Sequence, residues 1–323
     1  MSSAEEVLAL VEAGGAHIPG LMERLEERLE ALATSHGDVL AVHAGATIRA
    51  GGKRLRPLLV FLAAGARAEE NDGVLRAAVA VELIHSATLV HDDVLDAAPL
   101  RRGRPTVVAT AGRDIATATG DLLFSRAFAE LARNGRADEV RVLSDASSGL
   151  ARGELLQRED AWNVEVAQER YLHRCDLKTA RLFQAACTLG ALEGGGEAER
   201  LGDFGRRIGL AFQLLDDVLD VSGPAERTGK HRGTDLLDGT VTLPLILARE
   251  RDPELRRLDL RGVRTPEQAE AVCDAIARTG VLEEARSEAL ERVAAAKADL
   301  PDLPEGQRAA LELVADSVAD RYA

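Results

Sequence analysis

Two stretches of this chain each place three carboxylates within five residues. Asp92-Asp93-Val94-Leu95-Asp96 recurs as Asp216-Asp217-Val218-Leu219-Asp220, 124 positions later and with the same intervening residues. On a helix, positions i and i+4 share a face, about 6 Å apart along the axis. Asp92 is therefore expected to project with Asp96, and Asp216 with Asp220, with Asp93 and Asp217 beside them. Three carboxylates at one helix end repel one another and are costly to desolvate unless a cation sits among them. Hard oxygen donors select Mg2+ or Mn2+, and Mg2+ is commonly completed by substrate phosphates. A single copy would read as well as a solvated acidic helix end. Two identical copies, each following an apolar run, argue against that. A Ca2+ loop is disfavoured, because no Gly turn with carboxylates at alternate positions is present.

The second chemical signal is cationic. Gly51-Gly52-Lys53-Arg54-Leu55-Arg56-Pro57 sets three cations between a glycine pair and an apolar run, and Arg101-Arg102-Gly103-Arg104-Pro105-Thr106 follows closely on the first aspartate cluster. Arg binds phosphate through two parallel hydrogen bonds, and glycine lets a backbone approach closely. A basic run is usually a solvated face. In a chain of net charge −14, with 54 acidic and 40 basic residues, two Gly-flanked basic clusters look instead like anion sites. The Gly-Gly-Lys run is not a P-loop, since the first glycine and the Ser/Thr after Lys are missing.

These groups must be carried by helices. Apolar residues recur at three- and four-residue spacing in 21–34, 75–96, 115–133, 138–158, 166–191, 199–221, 241–250, 267–297 and 306–321. Breaks fall at 69–73, 134–138, 193–196, 222–235, 252–266 and 298–306, where Gly, Pro, Asn and Asp gather. No window alternates long enough to claim a sheet. Segments 79–90 and 208–221 are apolar almost all round, as expected of central helices, and each leads into an aspartate cluster. One all-α domain over residues 1–323 is the simplest reading. Of the 323 residues, 46% are hydrophobic, 29% charged and 3% aromatic, which is a globular composition whose cavities must be lined mainly by aliphatic side chains. The acidic field disfavours nucleic acid and anionic membranes. The three widely spaced cysteines, the acidic N-terminus and the absence of an uninterrupted apolar span lead us to expect a cytoplasmic protein with no transmembrane segment.

The ordered set GGKRLRP, HSATLVHDDVLD, RRGRPT, GDLLFSRA, GE-LLQ, LKTARLF, FQLLDDVLD, a Gly-Lys in the next loop and VTLPLI resembles the trans-isoprenyl diphosphate synthase (polyprenyl synthetase) family from about Gly51 to Leu247. The resemblance implies the isoprenoid synthase fold, a bundle of long helices around a central substrate cavity, and a homodimer. It implies that Asp92, Asp93, Asp96, Asp216, Asp217 and Asp220 bridge Mg2+ to an allylic diphosphate. Lys53, Arg56, His85 and Arg102 match the isopentenyl diphosphate pocket. Arg101, Lys178, Gln213 and Lys230 match groups holding the allylic diphosphate, and Thr179 sits where the family stabilises the carbocation. By residue type alone, His85 would read as a core histidine and Lys178 and Gln213 as helix surface. The stretch Asp238-Gly239-Thr240-Val241 lacks the basic residue common before TLP, which leaves a missing cation or one supplied by Arg232. Gly112–Gly120 also departs from the usual pattern, at no assigned chemical cost.

The implied activity is condensation of an allylic diphosphate with isopentenyl diphosphate. The family's chain-length floor corresponds to Ala87, with Leu83, Ile84 and Ala80 further along the same face. None is aromatic, so a product of twenty carbons or more is expected. A terpene cyclase would carry a different second metal motif and an aromatic pocket. A non-catalytic or partner-dependent subunit would typically lack aspartates that this chain keeps.

Overall fold

The structure is a computed structural model that describes residues 14–35, 37–223 and 232–320. Its contacts divide the chain into two compact units. One comprises Met1–Ser147, Leu182–Gly205 and Leu300–Val314; the other comprises Ser148–Arg181, Arg206–Asp299 and Ala315–Ala323. Among the described residues, the only strands are the two-residue ladder of Leu100–Arg101 with Arg104–Pro105; everything else regular is helical.

The first unit is organised around the Asp72–Leu95 helix, in which every residue from Ala77 to Ile84 is buried. Val79, Ala80, Val81, Leu83, Ile84 and Ala87 are all 0% exposed. Burial on every side explains why the segment shows no amphipathic face. It packs on Arg113–Ala132, Leu55–Ala64 and Ile18–Thr34. The Leu55–Ala64 helix is in turn approached by Arg181–Gly194 at a glycine: a Cβ on Gly190 would lie 2.2 Å from the Val60 carbonyl oxygen. Asn71 caps the central helix, its side chain accepting from Gly73 N at 2.8 Å. Beside that cap, Asn71 Nδ2 donates to Glu193 at 2.6 Å and Asn134 Nδ2 donates to Glu139 at 2.8 Å. Arg136 approaches both carboxylates, at 3.4 Å and 3.9 Å.

Asp72–Leu95 is also the one described helix long and apolar enough, by length and composition, to cross a membrane; 72% of its most apolar window is buried inside the protein.

In the second unit, Leu243–Arg251 is buried along nearly its whole length. Pro266–Arg278 opens with a reciprocal cap, Thr265 Oγ1 accepting from Gln268 N while Thr265 N donates to Gln268 Oε1, a geometry that satisfies two otherwise orphan donors. The stretch 267–297 read as one helix is two: the first ends at Arg278, and Gly280, at φ +77, turns the chain into Val281–Ala298. Likewise 166–191 contains Gln168–Cys175, a π-helical turn at Asp176–Ala180 and Arg181–Gly194. Two further helices, Asp38–Arg49 and Leu55–Ala64, lie where no periodicity was legible. The cysteines are buried free thiols.

Candidate active site

In the first unit, the central helix ends in the first aspartate motif. Asp96 is its C-cap, its N–H donating to Asp92 O at 2.8 Å, so the two carboxylates do sit one turn apart. Asp93, which feels the Asp96 charge, is the buried member of the three. Its side chain is 7% exposed and accepts from Arg101 Nε at 2.7 Å. Burial raises its carboxyl above the usual range and Arg101 opposes the rise. A step of one residue rotates a helical side chain by about 100°, which turns Asp93 inward while Asp92 and Asp96 face outward.

After Asp96 the chain reverses. Ala98 N bonds to Asp93 O at 3.0 Å, and Thr106 Oγ1 closes on Ala98 O at 2.6 Å. The ladder between them turns at Arg102 and Gly103, at φ +52 and +73. Two consecutive positive φ values make a type I′ hairpin, for which glycine in the second place is the usual choice. The guanidinium of Arg102 is thereby laid against Gly52, where an added Cβ would lie only 2.9 Å from it. The two basic clusters of the sequence are thus one cluster, joined glycine to arginine.

Arg56 completes this nest. It stacks over the Phe183 ring at 4.5 Å, and its Nε is buried without a partner. Burial brings its guanidinium down to about 10, with Glu82 opposing and Arg102 adding to the fall. Half-buried His85, one turn before Thr88 on the central helix, is driven well below its usual pKa by burial and by Arg56, Arg102, Arg54 and Arg101. A neutral imidazole among four guanidinium groups is a site short of negative charge.

Arg54, the middle cation of the GGKRLRP run, is spent inside the chain on Glu26, Glu82 and the Ile48 carbonyl.

In the second unit, Lys178 and Thr179 lie on the π turn. Gly153 permits this, since a Cβ there would meet Lys178 N at 2.5 Å. Glu154 pairs with Lys178 Nζ at 2.5 Å and with Arg158 at 2.7 Å. Thr179 Oγ1 donates to Gln213 Oε1 at 2.6 Å, Gln213 Nε2 donates to Asp217 Oδ1 at 2.7 Å, and Tyr171 OH donates to Asp217 Oδ2 at 2.6 Å. Both oxygens of Asp217 are therefore held inside the protein, and burial raises its carboxyl to about 7. Asp220 accepts the backbone N–H groups of Thr234 and Asp235, each at 3.2 Å, while Asp216 is exposed.

The six aspartates thus differ in exposure: Asp93 and Asp217 are buried while Asp216 is exposed, and among the described residues no three acidic, His or Cys side chains converge tightly enough to hold a metal alone. Outward carboxylates with hard oxygens, one turn apart at Asp92 and Asp96, fit a Mg2+ whose shell is completed by phosphate oxygens. Arg232, the suggested substitute cation, is engaged with Asp274. Lys230 lies outside the described residues. Tyr171, Glu154 and Glu82 are the functional neighbours that the sequence alone did not reveal.

A family model described as polyprenyl synthetase matches residues 38–279. A heptaprenyl diphosphate synthase component 2 from Geobacillus stearothermophilus is 41% identical over 263 residues, 80% of this chain and 82% of that protein. A short chain isoprenyl diphosphate synthase from Methanothermobacter thermautotrophicus is 38% identical, over 85% of this chain and 88% of its own. The crystal structure of a polyprenyl synthase from Caulobacter crescentus, solved with calcium and isoprenyl diphosphate, superimposes with a TM-score of 0.88 at 36% identity, covering 99% of this chain and 98% of that one.

Proposed function

The chain belongs to the polyprenyl synthetase family, and from that premise we propose that it condenses an allylic diphosphate with isopentenyl diphosphate, using Mg2+, to a trans-polyprenyl diphosphate of twenty carbons or more. It is a prenyltransferase, as its relatives are named. The observation that carries the finer reading is the central helix. His85, in the arginine nest, and Asp92, at the aspartate motif, are seven residues apart on it, about 10 Å at 1.5 Å per residue. One rigid element thus presents an anion pocket and a cation-binding end, which two diphosphate substrates require.

Each residue has a task in this reading. Lys53, Arg56 and Arg102, with neutral His85, bind the diphosphate of isopentenyl diphosphate. Arg101, Lys178 and Lys230 hold the allylic diphosphate. Mg2+ held through Asp92, Asp96 and Asp216, with Asp93, Asp217 and Asp220 supporting them, would neutralise that diphosphate as its C–O bond breaks. The Thr179 hydroxyl donates a hydrogen bond to Gln213 Oε1, so its lone pairs are left for the positive charge growing on the allylic carbon. The double bond of isopentenyl diphosphate supplies the electrons of the new C–C bond, and the proton lost afterwards passes to the released diphosphate.

Ala87 forms the floor of the growing product, with Leu83, Ile84 and Ala80 beyond it. The chain is read as one functional domain over 1–323, because each unit carries one of the two aspartate motifs that the activity requires. It is also read as a cytoplasmic homodimer. The resemblance to a protein named component 2 favours a second reading, in which elongation needs a partner subunit.

The test is mass spectrometry of dephosphorylated products. Purified protein receives Mg2+, isopentenyl diphosphate and, in turn, dimethylallyl, geranyl, farnesyl and geranylgeranyl diphosphate. A ladder ending at one length is expected, with Asp92→Ala and Asp216→Ala folded but slower by roughly 100-fold or more. No elongation by folded wild type would turn the reading to the partner-dependent subunit, and a substantially active Asp92→Ala would sink the mechanism.

A further inference from the structure

Glu82 is an acid buried where anions must be attracted. Its side chain is 5% exposed, like that of its partner Arg54, and the two meet at 2.7 Å. Arg54 then spends its remaining donors on Glu26 at 2.6 Å and 3.1 Å and on the Ile48 carbonyl at 2.9 Å. Arg54 also holds the left-handed conformation, φ +48, at the N-cap of Leu55–Ala64. That geometry costs a non-glycine residue about 1 kcal/mol or more and persists only when surroundings enforce it. Here the enforcement is the four-bond clamp. Because Arg54 lies between Lys53 and Arg56 in sequence, the clamp also sets where those two side chains begin.

Electrostatics points the same way. Burial lowers the basicity of both Arg56 and Arg102; Arg102 lowers Arg56 further, Arg54 and Arg101 lower Arg102 further, and Glu82 is the group that opposes the fall in each. Guanidinium groups packed this way repel one another until a ligand arrives, unless a carboxylate stands among them. A carboxylate so close to a bound diphosphate weakens binding directly, so its presence is explained only by what it arranges.

We propose that Glu82 is a positioning residue for isopentenyl diphosphate: through Arg54 it fixes the turn that carries Lys53 and Arg56, and it holds Arg56 and Arg102 together before the substrate binds. The inference rests on the reading of this nest as the isopentenyl diphosphate pocket. It assigns Arg54 to the architecture of the pocket, not to the ligand.

Three variants test it: Glu82→Gln, Arg54→Lys and Glu26→Gln. KM is measured for each of the two substrates, alongside isopentenyl diphosphate binding to the wild type by calorimetry. Glu82→Gln should raise KM for isopentenyl diphosphate about 10-fold, with kcat and the allylic KM within about 2-fold. Arg54→Lys should do the same although charge is conserved, because an ammonium cannot make the planar fork. Glu26 is 49% exposed, so its loss should give the same selective change at about 3-fold. Should Glu82→Gln not fold, the other two variants carry the test. An unchanged isopentenyl KM in Arg54→Lys and Glu26→Gln, or an equal rise for both substrates, overturns the positioning role alone. Wild type that fails to bind isopentenyl diphosphate overturns the pocket reading and this inference with it.

Discussion

Replacing Glu139 by Gln should remove one part of the pH dependence of stability that the wild type carries. Glu139 is fully buried, and burial, then Glu193, push its carboxyl up to about 8 from the usual 4.5, with Asn134 and Arg136 opposing. The folded chain therefore keeps a proton that the unfolded chain has released above about 4.5. When the folded state binds more protons, stability falls as pH rises. The loss starts near pH 4.5 and is complete near pH 8. Each pKa unit corresponds to about 1.4 kcal/mol, so the full difference would amount to about 5 kcal/mol. Relaxation around the charged carboxylate reduces this, so about 2 kcal/mol is the expected fall between pH 5 and 8. A glutamine can accept from Asn134 and donate to Glu193 without needing a proton. Urea unfolding followed by circular dichroism at pH 5, 6, 7 and 8 should show the wild type weakening more steeply than the variant, which keeps the slope contributed by other raised carboxyls such as Asp217. The variant should lead by about 2 kcal/mol at pH 8 and match the wild type at pH 5. Parallel pH profiles for the two proteins would refute the raised carboxyl of Glu139.

Three other outcomes follow from the geometry. Ala87→Phe should shorten the longest product in the mass spectrum, at a stability cost of about 1–3 kcal/mol for overpacking a fully buried position; unchanged length removes Ala87 from the floor. Gly153→Ala drives a Cβ into Lys178 N, 2.5 Å away, so kcat should drop about 10-fold while circular dichroism is retained, and wild-type turnover would mean the π turn tolerates displacement. The ring signals of His85 in an NMR titration should stay constant from pH 8 to 6 without ligand, since burial and four arginines keep it neutral, and should shift when inorganic diphosphate is added. A titration near the usual value would show that the nest is open to water.

What the sequence made legible was what has a local period or a repeated motif. The long helices appeared within a few residues of their ends because charged and apolar faces alternate at helical spacing. Leu55–Ala64 escaped because Pro57–Ala64 is buried throughout, and a helix without a polar face has no periodicity to detect. The break at Gly280 escaped because apolar spacing continues on both sides of it. The aspartates and the arginines could be picked out by type and order, yet their division of labour could not. That Asp217 faces Tyr171, 46 residues back, and that Arg54 faces Glu82, 28 residues on, are long-range pairings with no trace in local spacing. Tyr171 and Glu82 each looked like ordinary members of a helix until tertiary structure supplied the other half.

The π turn at Asp176–Ala180 holds one residue more than an α-helical turn would. Removing a single residue there, such as Leu177, would let the helix close into regular α geometry while rotating everything on one side by about 100° relative to the other. The register that lets Thr179 meet Gln213 would then be lost. A one-residue gap at this point in an alignment of relatives is therefore a mechanical event, the equivalent of turning a key by a quarter. Chains that share this sequence pattern but differ by that one residue should hold the Thr179 hydroxyl differently, and transplanting the segment between them should carry the turn as a unit.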